Sequence, residues 1–125
     1  MIRGAVYPIE SGDAKRGHEQ RGRRLGVVVS DGPRVWSTVT VLPTSTSAQA
    51  ALFRPRLHIT GRDTPALTDQ IRTIDTSYVV GHPVGYLDHT DMAQVEYALG
   101  LWLALSIDSG FQSETAVRLM TESVV

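Results

Sequence analysis

The chain contains no cysteine, which excludes disulfides and thiol chemistry. A protein without thiols suits any redox compartment, so this absence says nothing about where it works. No apolar run approaches the roughly 18 residues of a membrane span. The N-terminus lacks the charged-then-apolar pattern of a secretory signal. With both missing, the expected location is the cytoplasm and no membrane partner is expected. Internal repeats are absent, the four histidines are scattered singly, and no metal-ligand spacing occurs. No metal site and no cofactor are therefore expected.

What is present is the composition of an ordinary globular protein: 125 residues, 42% hydrophobic and 20% charged. That length supports one domain with a single core. The net charge of −1 conceals an asymmetry. Through Arg56 there are nine Lys/Arg against four Asp/Glu; from Leu57 onward there are three against nine. If these halves become faces of the fold, one face is a candidate polyanion surface.

Hydrophobic patterning indicates a mainly β fold. Gly4 to Ile9 reads as a strand, with Pro8 at an edge or a strand end because proline cannot donate to a ladder. Glu10 to Arg23 is polar, basic and punctuated by glycines, a long loop of a length that is usually functional or disordered. Val27-Val28-Val29 marks a buried strand over Leu25–Ser30, Asp31-Gly32-Pro33 a turn, and Val35 to Leu42 a second core strand. Thr44 to Ala51 reads as a loop. Arg54 to Thr60 alternates, with Leu57 and Ile59 on one face and Arg56 and His58 on the other. Gly61 to Pro65 reads as a turn and Leu67 to Ile74 as a further strand. Short strands are expected at Tyr78–Val80 and Val84–Leu87. Short strands at this spacing without intervening helices indicate an antiparallel barrel or sandwich.

One helix follows. Asp88 is the expected N-cap, and Asp91 falls in the first turn. Met92, Val95, Leu99, Trp102 and Leu103 form a single stripe at helical spacing, and the helix is expected to stop near Asp108-Ser109-Gly110. Residues 1–106 are expected to form the domain and 107–125 a C-terminal tail. Val117, Met120 and Val124 in the tail have the spacing of a short second helix.

Chemistry-bearing residues fall in three clusters. The long loop carries Lys15, Arg16, Arg21, Arg23 and Arg24 beside His18, Glu19 and Gln20, with glycine hinges. These are parts for binding and cleaving a phosphodiester, although a basic loop is often no more than a solvated surface. Arg24 stands apart because it abuts the first core strand, where rigid scaffold meets loop. The second cluster is Pro43-Thr44-Ser45-Thr46-Ser47. Its hydroxyls either cap backbone groups or, if adjacent strands bring them to Arg24, hold a phosphate oxygen. The third is Leu67-Thr68-Asp69-Gln70-Ile71-Arg72-Thr73-Ile74-Asp75. A carboxylate within an apolar strand is costly without partners, so Asp69 and Gln70 face a polar cleft or join a hydrogen-bond network.

In order and spacing, Gly17-His18-Glu19-Gln20-x-Gly22-x-Arg24, Pro43-x-Ser45-Thr46 and Asp69 to Asp75 resemble the three motif blocks of the MazF/PemK (Kid) toxins. Leu87 to Leu105 is similar to that family's C-terminal helix. The resemblance spans residues 2 to 105. It implies a compact SH3-like antiparallel barrel with a flanking helix, acting as a homodimer. It also implies metal-independent cleavage of single-stranded RNA, chiefly mRNA, at short recognition sequences, leaving a cyclic or 3′ phosphate and a 5′ hydroxyl. Inhibition by a cognate antitoxin is implied as well. Arg24 matches the family's catalytic arginine and Glu19 its loop glutamate. His18 and Asp69 match positions implicated in the Kid branch. Ser45 stands where the catalytic threonine is usual, and Leu25 replaces the proline that usually follows the arginine.

The reaction requires that the ribose 2′-OH lose a proton, the phosphorane charge be stabilised, and the leaving 5′ oxygen gain a proton. Arg24, which stays protonated, is assigned to charge stabilisation, with Ser45 and Thr46 as neutral donors. Glu19, His18 and Asp69 all remain candidates for the base. Base selection falls to loop residues and Gln70. Two other classes of function fit the same fold. One is a non-catalytic gyrase poison of the CcdB type, which has no need of Arg24, Ser45 and Glu19 together. The other is a regulatory binding module whose basic loop is merely solvated.

Overall fold

The computed structural model describes residues 1–10, 24–31, 37–49 and 51–106. Seven strands are formed among them: β1 Ala5–Ile9, β2 Arg24–Val28, β3 Thr38–Pro43, β4 Arg56–Ile59, β5 Arg62–Pro65, β6 Arg72–Asp75 and β7 Gly85–Tyr86. Helix α1, His89–Trp102, closes the described fold. Five strands pair antiparallel in the order β6-β3-β2-β1-β7. The other two, β4 and β5, form a separate hairpin. The mainly β, antiparallel class with a C-terminal helix is thus as expected. The described strands form a sheet and a hairpin, not one closed barrel.

The sheet is apolar on both faces, which explains why Val27 and Val28 are adjacent and both fully buried. Val6, Val27 and Leu42 point to the side covered by the hairpin and helix, where they meet Leu57, Ile59, Ala66 and Val95. Ile9, Val28, Val39 and Val41 form a second cluster on the opposite face, flanked by Tyr7, Ile74 and Val79. Gly26, opposite Tyr7 of β1, leaves room for a side chain of that strand: a Cβ there would sit 2.8 Å from Ile9 Cγ1. Pro8 sits near the end of β1, beyond the two residues that pair with β7, and its carbonyl accepts from Val80 N–H at 3.0 Å. The strand-end reading of this proline holds; β1 itself is an inner strand.

Two sequence expectations over 61–74 are corrected. Arg62–Pro65 is a strand, and the turn is confined to Thr60 and Gly61, both with positive φ (50° and 79°). This two-residue turn matches the twist of a hairpin. Thr68–Gln70 is a 3₁₀ turn and not part of a strand; the strand resumes at Arg72. Likewise Thr76–Tyr78 is a 3₁₀ turn, with Val79 bridging Ile9.

Asp88 caps α1 as expected, its carboxylate accepting from Asp91 N–H at 2.8 Å. Val95 and Ala98 are buried. Trp102 is 45% exposed and rests at 5.0 Å on the Phe53 ring, outside the core. The helix ends well before Asp108. Leu105 N–H reaches Gly100 O (2.9 Å) and Ala104 N–H reaches Leu101 O (3.3 Å), with Ala104 left-handed at φ 53°. That is a Schellman termination in which alanine occupies the position usually given to glycine. Asp91 is 2% exposed, and its carboxylate accepts from His58 N–H at 2.8 Å, tying the helix to β4. No helix among the described residues is long and apolar enough to cross a membrane. The long loop 11–23, the turn around Gly32-Pro33 and the proposed tail helix lie outside the described residues.

Candidate active site

Arg24 is the first residue of β2, paired with Ile9 across the ladder and half-buried. Beside it the end of β3 is held by three contacts. Gly26 pairs with Pro43, Thr44 N–H donates to Leu25 O at 3.0 Å, and Thr44 Oγ1 donates to the same carbonyl at 2.8 Å. Thr44 is 4% exposed, and its hydroxyl is committed to that backbone carbonyl. The next residue, Ser45, is fixed from the other side, since its N–H donates to Pro65 O at 3.1 Å. Its Oγ accepts from Ser47 N–H at 3.3 Å. The strand-end hydroxyls thus split between the two roles foreseen for them: Thr44 caps a carbonyl, while Ser45 and the exposed Thr46 border open space.

That space is a groove of about 290 Å³. On one side lie Arg24, Leu25 and residues 44–47; on the other lie Thr60, Arg62 and Thr64 of the β4–β5 hairpin. The hairpin is seated there by the Thr44–Ala66 bridge and by Leu67 N–H donating to Pro43 O at 2.8 Å. Hydroxyls and guanidinium groups dominate the lining, an arrangement suited to an anionic, hydroxyl-bearing ligand. The sequence reading missed the hairpin side because it took Gly61 to Pro65 for a turn. The signal that finds it is Thr60-Gly61 as a two-residue hairpin turn, followed by Arg62 and Thr64 at alternating positions.

Asp69 and Gln70 are not among the described residues that line the groove. Asp69 is gripped by Arg54 in a two-pronged pair, Nε to Oδ1 at 2.9 Å and Nη2 to Oδ2 at 2.7 Å. Arg54 Nη1 also reaches Gln49 O at 3.4 Å. The pair ties the segment after Ser45 to the 3₁₀ turn. Hydrogen bonds from the Arg54 guanidinium hold the Asp69 carboxyl below the usual carboxylate range, and the same pairing raises Arg54. Of the two readings of Asp69, the geometry fits the hydrogen-bond network. Gln70 is exposed at the end of the same turn. Lys15, Arg16, His18, Glu19, Gln20, Arg21 and Arg23 lie outside the described residues.

Residues 2–103 match the model of the PemK-like, MazF-like toxins of type II toxin–antitoxin systems. The chain belongs to this family. A curated toxin homologue from Mycobacterium tuberculosis is 61% identical over 105 residues, covering 84% of this chain and 99% of the relative. Solved structures repeat the fold. A mycobacterial endoribonuclease in complex with its cognate antitoxin superposes with a TM-score of 0.69 at 19% identity, covering 86% of this chain and 99% of that one. MazF from Deinococcus radiodurans gives 0.68 at 24% identity, covering 84% and 97%. Within this PemK/MazF fold, the groove brings Arg24, the last residue of the first motif block, to one surface with Ser45 and Thr46 of the second. The third block, at Asp69, supports the scaffold beside it.

Proposed function

We propose that this PemK/MazF-family protein is a metal-independent endoribonuclease toxin that cuts single-stranded RNA, chiefly mRNA, at short recognition sequences. The observation that carries this reading is the groove in which the strand-end Arg24 and Ser45 share one polar surface. The scissile phosphate lies at Arg24. The ribose 2′ oxygen attacks phosphorus, its proton passing to a base, and the negative phosphorane is stabilised by the guanidinium with Ser45 and Thr46 donating. The bond to the 5′ oxygen then breaks, that oxygen takes a proton, and a 2′,3′-cyclic phosphate and a 5′ hydroxyl remain. Requiring the 2′-OH restricts cleavage to RNA.

For the base, a carboxylate clasped by arginine and depressed in pKa is a poor proton acceptor. We therefore assign Asp69 to support of the site and the base role to Glu19 or His18. Lys15, Arg16, Gln20, Arg21 and Arg23 extend the RNA surface, and Gln70 is a candidate for reading a base edge. The functional unit is a cytoplasmic homodimer, neutralised by a cognate antitoxin. The endoribonuclease–antitoxin complex among the structural neighbours supports the last point.

The test is cleavage of a single-stranded transcript by the purified protein in EDTA. Wild type is expected to cut, leaving 5′-hydroxyl ends. Arg24→Ala is expected to lose about 10²–10³ or more in rate while unfolding at the same denaturant concentration. Unimpaired cleavage by a folded Arg24→Ala protein would refute the mechanism. Gyrase poisoning without any RNA cleavage would select the non-catalytic toxin instead.

A further inference from the structure

We infer that Arg62 is a second RNA-backbone cation, binding a phosphate that neighbours the scissile one at Arg24. The inference rests on the reading of the groove as an RNA site and adds a residue that no motif block contains. Arg62 opens β5 immediately after the Thr60-Gly61 turn, on the side of the groove opposite Arg24. Strand alternation separates it from its acidic neighbour. Arg62 and Thr64 face the groove, while Asp63 points away and sits 3.4 Å from His58 Nε2. The Asp63 charge is thus directed away from the groove. Arg54 and Arg3, by contrast, are committed to Asp69 and Glu96; Arg62 makes no ion pair among the described residues.

The character of the lining decides what Arg62 would bind. No aromatic side chain lines the groove among the described residues, so this surface offers no platform for stacking a base. Hydroxyls and two guanidinium groups suit ribose and phosphate oxygens instead. A single strand running through the groove would place consecutive phosphates along it, with one cation on each side. Held by hairpin backbone pairing, Arg62 fixes the strand's path and leaves sequence selection to other groups. Its contact, remote from the reacting bond, persists equally in ground and transition states, so it acts on KM and not on kcat.

The experiment compares wild type, Arg62→Gln and Arg62→Lys. Binding is measured on random-sequence single-stranded DNA, which carries the phosphates but no 2′-OH to react, and cleavage is measured on a single-stranded transcript. Arg62→Gln is expected to flatten the slope of log affinity against log salt by about 0.7, the value of one phosphate contact on a single strand. KM should rise about 3- to 10-fold with kcat within about twofold. Arg62→Lys should restore the slope. A wild type that cuts RNA while Arg62→Gln keeps the wild-type slope and KM overturns the assignment of Arg62 alone. A wild type that neither binds the DNA nor cuts RNA overturns the RNA reading beneath it.

Discussion

Replacing Thr44 by valine and Ser45 by alanine separates two neighbouring hydroxyls, one bonded to a backbone carbonyl and the other proposed as a donor in the reaction. The Thr44 hydroxyl is buried at 4% exposure and donates to Leu25 O at 2.8 Å. Valine nearly fills the same volume, so no cavity opens. Leu25 O keeps the Thr44 N–H at 3.0 Å and is not orphaned. The loss should therefore stay near the net worth of one hydrogen bond, about 0.5–1.5 kcal/mol, which lowers Tm by about 2–6 °C. The strand ends around Arg24 remain paired, so RNA cleavage should fall by no more than about threefold. Ser45→Ala inverts the pattern. Its Oγ makes two long contacts with the exposed Ser47, accepting from the N–H at 3.3 Å and pairing with the Oγ at 3.2 Å, and it borders the groove, so stability should change by less than about 0.5 kcal/mol. Cleavage should fall by about 10²–10³, the cost of losing one donor to a developing anion. Urea unfolding and initial cleavage rates on one transcript measure both effects. Equal losses of rate in the two variants, or a Ser45→Ala protein as active as wild type, would refute the division of roles.

Gly26→Ala is expected to destabilise by about 1–3 kcal/mol in a urea melt, because the new methyl would sit 2.8 Å from Ile9 Cγ1 within the β1–β2 contact. Ala104→Gly should act the other way, by about 0.5–1 kcal/mol, by relieving the left-handed alanine that ends α1. The Arg54–Asp69 pair predicts a pH dependence. The Asp69 pKa is depressed in the folded state, so the pair's contribution is complete above the ordinary aspartate pKa and is lost as pH falls from there through the depressed value. Asp69→Asn should therefore destabilise the protein at neutral pH and shrink its stability difference from wild type on acidification. A difference independent of pH would show that the carboxylate's charge contributes nothing.

The parts of the fold that were legible in the sequence are those whose signal is local. Arg56-Leu57-His58-Ile59 alternates because one face of β4 meets the core, and two residues per repeat suffice to see it. Asp88 announces α1 because a cap acts only three residues ahead. Illegible features depend on partners distant in sequence. Arg62-Asp63-Thr64 carries little hydrophobic signal, since β5 is held by its register with β4, and only backbone pairing makes it a strand. The Asp69 carboxylate reads as costly until Arg54, fifteen positions away, is brought beside it. Asp91 reads as a helix-dipole residue, yet its deeper task is to accept the backbone N–H of His58 across the core boundary.

The same distinction explains which half of the groove could be found. Arg24 and Ser45 each stand where a hydrophobic run begins or ends, so sequence alone locates them at the rim of a scaffold. Antiparallel pairing of β2 with β3 then brings the start of one to the end of the other, Gly26 opposite Pro43, with no further information needed. The opposite side follows no such rule. It arises because the chain after β3 forms a hairpin that returns to bridge Thr44 through Ala66, with Leu57 and Ile59 of that hairpin buried in the same core cluster as Val27 and Leu42. The packing that stabilises the domain therefore also completes the site. A core substitution such as Leu57→Ala, which should cost about 2–5 kcal/mol, would loosen the side bearing Arg62 while leaving the β2–β3 side paired.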